Sequence, residues 1–171
     1  MEIPFGEWKL RPPTLDDVES IARHANNRKI WLNLRDRFPH PYAPEDARVW
    51  IESQMNQEPV TSFMIASNAE AFGGISIHLQ SDVASKSAEF GYWLGEHYWG
   101  KGIATGAVKA LVEYAFEQLD LVRLYAKVFE TNIGSCRVLE KASFAQEARS
   151  RKAVFKDGVI MDEFLYALVR E

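Results

Sequence analysis

Apolar residues recur among polar ones at Trp8, Leu10, Pro12 and Leu15, a spacing that predicts an opening strand. Thr14 and Asp17 then stand three apart ahead of Val18, Ile21, Ala22 and Ala25, a capping box followed by the period of an amphipathic helix. Residues 26–42 (NNRKIWLNLRDRFPHPY) keep neither period. Their aromatics, arginines and turn signals predict a short irregular helical segment followed by a loop around Pro39 and Pro41, the kind of exposed aromatic loop that often carries function. Pro44 at a first helical position, with Glu45 and Asp46 behind it, opens a second helix through Trp50, Ile51 and Met55 that closes before Pro59.

The period then changes. Residues 62–66 and 72–79 read as two strands joined by a tight turn, and residues 88–94 (AEFGYWL) as a third, so these three should pair as an antiparallel meander. After Gly95 the chain turns through Trp99 and two glycines into its clearest helix, with Val108, Leu111, Val112, Ala115, Phe116 and Leu119 on one face. A strand follows over 121–129. Asn132 caps a short helix that turns Cys136 and Leu139 inward, and two last strands, near 146–155 and 159–168, flank the turn at Asp157-Gly158. The predicted order is β-α-α-β-β-β-α-β-α-β-β, without repeat, linker or low-complexity stretch. Residues 1–171 therefore read as one domain, a mixed α/β sheet with helices on its faces.

Composition narrows the function. The 171 residues suffice for one sizeable core but not for two ordinary domains. The net charge of -4 is spread along the chain with no basic tract, which argues against nucleic acid as a main ligand. A lone cysteine, Cys136, excludes an intrachain disulfide and any cysteine-based zinc site, and His24, His40 and His97 show no metal spacing. No signal peptide or membrane anchor is visible, so a cytoplasmic protein is expected, with no metal.

The chemistry-bearing segment is residues 95–106 (GEHYWGKGIATG), a glycine-rich turn between a strand and a helix, where free N–H groups and the helix dipole suit a phosphate. Gly95, Gly100 and Lys101 match a Walker A loop, but Gly102 stands where a Ser or Thr hydroxyl should bind magnesium. Gly100 and Gly102 begin a dinucleotide fingerprint whose third glycine is replaced by Thr105. A plain tight turn is the remaining reading.

The surrounding residues carry a family resemblance. Residues 98–107 (YWGKGIATGA) resemble the acetyl-CoA pyrophosphate loop of the GNAT acetyltransferases, written Q/R-x-x-G-x-G/A, with Gly102 and Ala104 matching and Trp99 in place of Gln or Arg. The aromatic-glycine-lysine-glycine version is similar to that of the RimJ/RimL-type branch, which acetylates protein N-termini and assorted small amines. Residues 88–95 (AEFGYWLG), 131–144 (TNIGSCRVLEKASF), 157–168 (DGVIMDEFLYAL) and FPHPY near residue 40 stand in the order this resemblance requires and cover nearly the whole chain.

The resemblance implies the acyl-CoA N-acyltransferase fold, a mostly antiparallel, twisted sheet of about six to seven strands with about four helices. It also implies acetyl-CoA as cosubstrate, bound through Leu94, Trp99, Gly100, Lys101, Gly102, Ile103, Ala104, Thr105, Asn132 and Ser135. Residues 90–94 should splay from residues 121–129 to let pantetheine lie along free backbone. Many family members place a tyrosine seven or eight residues after this asparagine to protonate the departing thiolate; here those positions are Leu139 and Glu140, and Ser135 stands in the neighbourhood instead. Glu89 is the candidate base, acting through an ordered water, with His78 a lesser candidate. Trp31, Asn33, Arg35, Phe38 and Tyr42 resemble the variable substrate wall of the branch; the alternative is that these aromatics fill the core beneath a loop, the more common fate for residues such as Trp31 and Phe38. The acceptor is expected to be a primary amine, either a protein N-terminus or a small molecule. Because the family often dimerises, the last strands are candidates for contact between protomers. A non-catalytic acyl-CoA-binding or sensing domain is the competing function, since the phosphate loop is better marked than any catalytic residue.

Overall fold

The computed structural model describes all 171 residues. An N-terminal hairpin, β1 (Ile3–Phe5) and β2 (Trp8–Arg11), leads into a short 3₁₀ turn and then α1 (Val18–Ala25). The predicted cap is present, with the Thr14 N–H donating to Asp17 Oδ2 at 2.9 Å. Asp17 is buried, and the Arg11 guanidinium clasps it in a two-pronged fork of 2.8 and 2.7 Å. Next come α2 (Arg28–Trp31) and α3 (Pro44–Gln54), then the meander β3 (Ser62–Ala66), β4 (Ala71–Leu79) and β5 (Ser87–Leu94). The chain ends with α4 (Ile103–Gln118), β6 (Arg123–Phe129), α5 (Ile133–Lys141), β7 (Ala145–Lys156) and β8 (Val159–Val169).

All eight strands form one sheet in the order β1-β2-β3-β4-β5-β6-β8-β7. Only β5 and β6 run parallel; every other neighbouring pair is antiparallel. The sheet is thus one strand wider than expected. Strand β1 escapes a sequence reading because three residues with Pro4 at their centre are too short to display alternation. The fifth helix, α2, is the irregular segment expected near residue 30, reduced to a single turn.

Alternation along the strands divides the core. Phe63, Ile65, Phe72, Ile75, Phe90, Leu124, Ala126 and Val128 face α4 and α5 and pack with Ile103, Ala107, Val108 and Leu111. On the other face, Met64, Ala66 and Ala71 pack against α1 and α3 through Val18, Ile21, Ala22, Ala47 and Ile51. Tyr42 belongs to this second layer, buried and packed at a tilt on Phe38, which in turn meets Trp93 edgewise.

Burial, reinforced by the charge of Asp46, pushes the Tyr42 phenol up to about 12. An unfolded tyrosine loses its proton near 10.0, so above that pH the folded state holds a proton the unfolded state has lost. Stability from this site is therefore complete below pH 10 and falls as pH rises toward 12. Urea titrations at about pH 9 and about pH 11 should show that loss, and Tyr42→Phe should lessen it; an identical loss in the variant would refute this account.

Candidate functional site

Strands β5 and β6 pair only through Ser87↔Arg123, Ala88↔Leu124 and Glu89↔Tyr125. Beyond that point β5 stays with β4 as far as Leu94, and β6 stays with β8 as far as Phe129, so the two strands part inside the sheet. Backbone groups that would bond a neighbouring strand are left free along the gap. A cavity of about 610 Å³ fills it, lined by residues 90–94 of β5, residues 126–128 of β6 and the first turns of α4 and α5.

Both helix starts are shaped locally. Gly100 and Gly102 hold φ of +73° and +77°, a region that costs an L side chain about 1–2 kcal/mol, and Gly102 is the N-cap of α4. The first bond of that helix is Gly106 N–H to Gly102 O at 3.1 Å, which leaves the N–H groups of Ile103, Ala104 and Thr105 without a helical partner. Trp99 ties the loop to the strand by donating its Nε1–H to Leu94 O at 2.7 Å. Across the cavity Asn132 caps α5 by accepting the Ser135 N–H at 3.2 Å. Lys127, Arg137 and Lys141 are the charged residues of the lining, which contains no carboxylate although the chain is net negative. Such a cavity suits an elongated polyanion.

Of the residues expected to hold the cosubstrate, Leu94, Trp99, Gly100, Gly102, Ile103, Ala104, Thr105, Asn132 and Ser135 are all brought to this cavity. Lys101 is not. Its ammonium lies 5.6 Å over the Tyr98 ring on the exposed side of the loop. Arg137 and Lys141 escaped the sequence reading, although their four-residue spacing places them on one face once Asn132 marks the start of α5.

Tyr92 was missed as well. Its hydroxyl lies 2.6 Å from Ser135 Oγ, inside the cavity wall. Burial pushes the phenol up to about 12, partly offset by the Ser135 hydrogen bond, so it stays protonated at neutral pH. Leu139 is fully buried, and the Glu140 carboxylate accepts the Tyr166 hydroxyl at 3.1 Å.

Glu89 sits at the last paired position before the strands part, on the α1–α3 face of the sheet, and does not line the cavity. His78 is its register partner on β4; burial and the nearby Arg37 and Arg35 lower its pKa against the opposing pull of Glu89. The segment between α2 and α3 covers this face. Asn33, with Ile30 and Leu34, reaches the cavity, whereas Trp31, Arg35, Phe38 and Tyr42 do not. Trp31 is instead the platform for Lys156, whose buried ammonium lies 3.8 Å over the indole and donates to Asp36 at 2.9 Å. Arg35 Nη2 stands 3.7 Å from Glu89 Oε1 and 3.6 Å from Glu163 Oε2. Glu163 had no part in the expected site, because β8 becomes the neighbour of β6 only through the strand order.

Comparison with known proteins places this geometry. The acetyltransferase (GNAT) domain model matches residues 8–145. The chain belongs to the GNAT family of acetyltransferases. A probable N-acetyltransferase of Bacillus subtilis, YjcK, is 41% identical over 167 residues, covering 94% of this chain and 92% of that protein. Among solved structures, a RimL ribosomal-protein α-N-acetyltransferase in complex with coenzyme A superposes with a TM-score of 0.87 at 23% identity, over 99% of this chain and 98% of the other. A microcin self-immunity acetyltransferase in complex with acetyl-CoA and AMP has a TM-score of 0.80 at 27% identity, covering 95% and 92%. This GNAT chain is an acyltransferase of the N-acetyltransferase class, so family membership favours catalysis over a sensing role. No helix is long and apolar enough to cross a membrane, and no cluster of His, Cys, Asp and Glu is arranged to hold a metal ion.

The Trp99 hydrogen bond makes a prediction about the GNAT loop. Trp99→Phe keeps an aromatic ring, though a smaller one, but frees Leu94 O, and should cost about 0.5–1.5 kcal/mol in urea unfolding while speeding amide exchange in residues 99–105. Unchanged exchange in that segment would show that the loop is held by something else.

Proposed function

We propose that this enzyme transfers an acetyl group from acetyl-CoA to a primary amine by direct attack in a ternary complex. The observation that carries the reading is the cavity between the parted strands, which has three cationic side chains, no acid and two helix starts at its rim. Acetyl-CoA would supply the activated thioester. Gly100, Gly102, Ile103, Ala104 and Thr105 offer backbone N–H groups for its pyrophosphate, with Trp99 holding the loop in shape and Lys101 adding charge from outside. Residues 90–94 and Asn132 line the path for the pantetheine arm, and Arg137 and Lys141 add positive charge along α5.

The chemistry then falls to few groups. Glu89 accepts a proton from the arriving ammonium through one water, freeing the nitrogen lone pair to bond the thioester carbon as the carbon–sulfur bond breaks, and the second proton shed by the new amide nitrogen passes to the departing thiolate. Ser135 donates a hydrogen bond to the departing sulfur and is held in place by Tyr92. The high phenol pKa suits Tyr92 to positioning rather than to giving up its own proton. A thiol of ordinary pKa, about 8.5, needs little more help at neutral pH.

The acceptor follows from the modest base. An α-amine with pKa about 7.8 is roughly 14% neutral at pH 7, whereas a lysine at about 10.4 is below about 0.1%, a difference of about 3.5 kcal/mol in deprotonation. We therefore place protein N-termini and low-pKa small amines ahead of ordinary lysine side chains, in a cytoplasmic setting.

Thiol release from acetyl-CoA should be measured over N-terminal peptides, lysine peptides, polyamines, amino acids and aminoglycosides. Turnover is expected with at least one amine. Glu89→Gln should lower kcat about a hundredfold or more, Ser135→Ala about tenfold, and the double change Arg137→Ala/Lys141→Ala should raise the KM for acetyl-CoA about tenfold with little change in kcat. Binding of acetyl-CoA without turnover on any amine would overturn the catalytic assignments.

A further inference from the structure

Among buried side-chain nitrogen and oxygen atoms, one has no hydrogen-bond partner, Glu163 Oε2. Its neighbourhood makes this notable, because the adjoining carboxylates are well satisfied. Asp162 accepts from Arg149 Nε at 2.6 Å and from the Lys152 N–H at 2.9 Å, and Glu130 accepts the Asp162 N–H at 2.8 Å. Leaving a carboxylate oxygen buried and unpaired costs stability, so a partner is expected for it.

The nearest cation is Arg35 Nη2, at 3.6 Å, and the same nitrogen is 3.7 Å from Glu89 Oε1. It is shared between two carboxylates and is too far to hydrogen-bond either. The Arg35 side chain makes no hydrogen bond elsewhere, and with 48% of it exposed it is free to swing outward. Glu163, at 13% exposure, is fixed in β8 opposite Phe129. Two acidic oxygens on one sheet face, beside the point where β5 and β6 part, thus surround one loosely held positive charge. A compact ammonium, with three donors, can approach Glu163 Oε2 more closely than the planar guanidinium does.

We propose that Glu163 anchors the acceptor as its ammonium, at the position Arg35 Nη2 now fills, and that Arg35 is an internal stand-in which the acceptor displaces. The inference rests on the acetyl-transfer reading above and adds to it the residue that selects a positively charged amine. An ammonium drawn from that position toward Glu163 widens the 3.7 Å gap to Glu89 Oε1 enough for the water through which Glu89 takes its proton, while Glu163 keeps its charge and holds the acceptor in place. The sign of the Arg35 effect separates this role from the one expected of an arginine wall, which is to clasp a carboxylate on the acceptor.

The experiment uses wild type, Glu163→Gln and Arg35→Gln, with two readouts. The first is steady-state thiol release with the best amine of the panel, giving separate KM values for amine and acetyl-CoA. The second is calorimetric binding of n-butylammonium chloride in the presence of saturating CoA, with tetramethylammonium, which cannot donate, as control. Glu163→Gln should raise the acceptor KM and weaken n-butylammonium about tenfold or more, leaving the acetyl-CoA KM and the melting temperature near those of wild type. Arg35→Gln should tighten n-butylammonium several-fold, and binding detectable only in Arg35→Gln supports the proposal equally. Glu163→Gln that matches wild type in both readouts overturns it, as does weaker amine binding in Arg35→Gln, failure of all three proteins to bind n-butylammonium, or equal binding of tetramethylammonium. Absence of thiol release with intact, Glu163-dependent amine binding would instead remove the acetyl-transfer reading and leave the ammonium site standing.

Discussion

Strands β5 and β6 hold together over three residue pairs and then separate, and this parallel junction is where the sheet gives up its hydrogen bonds. Each strand has a full antiparallel partner on its other side, β4 for one and β8 for the other, so separation leaves neither of them loose. The wedge between them is held open from both ends. Trp99 pins the α4 loop to Leu94, and the contact between Tyr92 and Ser135 sets the start of α5 against β5. A gap in a sheet is ordinarily a liability. Here it is the one place where backbone donors, two helix starts and a through-passage between the faces of the sheet coincide.

Charge is sorted across that passage. The cavity is lined by Lys127, Arg137 and Lys141 without an acid, while Glu89 and Glu163 stand on the α1–α3 face with Arg35 between them. On the proposed reading, a polyanionic acyl carrier and a cationic amine would each be drawn to opposite sides of one opening. The cationic lining disfavours an ammonium and the two carboxylates disfavour a polyanion, so each side discriminates against the other's ligand and the separation favours both being bound at once. That arrangement is consistent with the direct transfer proposed above.

The segment over the acidic face is built as a fixed wall. Lys156 buries its charge against Trp31 and Asp36, Arg28 pairs with Asp157 in the β7–β8 turn, and Phe38 and Tyr42 fill the core beneath. Its aromatics thus serve packing, and Asn33 and Arg35 are left to face the opening or its rim. Aromatic residues in a loop look the same in a sequence whether they greet a ligand or fill a gap, because both uses follow from their large apolar area.

Local rules were enough for much of this chain. The α4 period, the positive-φ glycines at 100 and 102, the Asn132 cap and the alternation of the meander each depend on residues within a few positions of one another, and the family likeness rests on the same local segments. What only the tertiary structure decided was every pairing between distant segments. The exchange of β7 and β8 brings Glu163 beside the site, Tyr92 meets Ser135 from 43 positions away, and Arg35 lies between two strands far from it in the chain. Sequence period assigns a side chain to a face but not to a neighbour, since neighbours are set by strand order and register, which follow from burying the whole sheet at once.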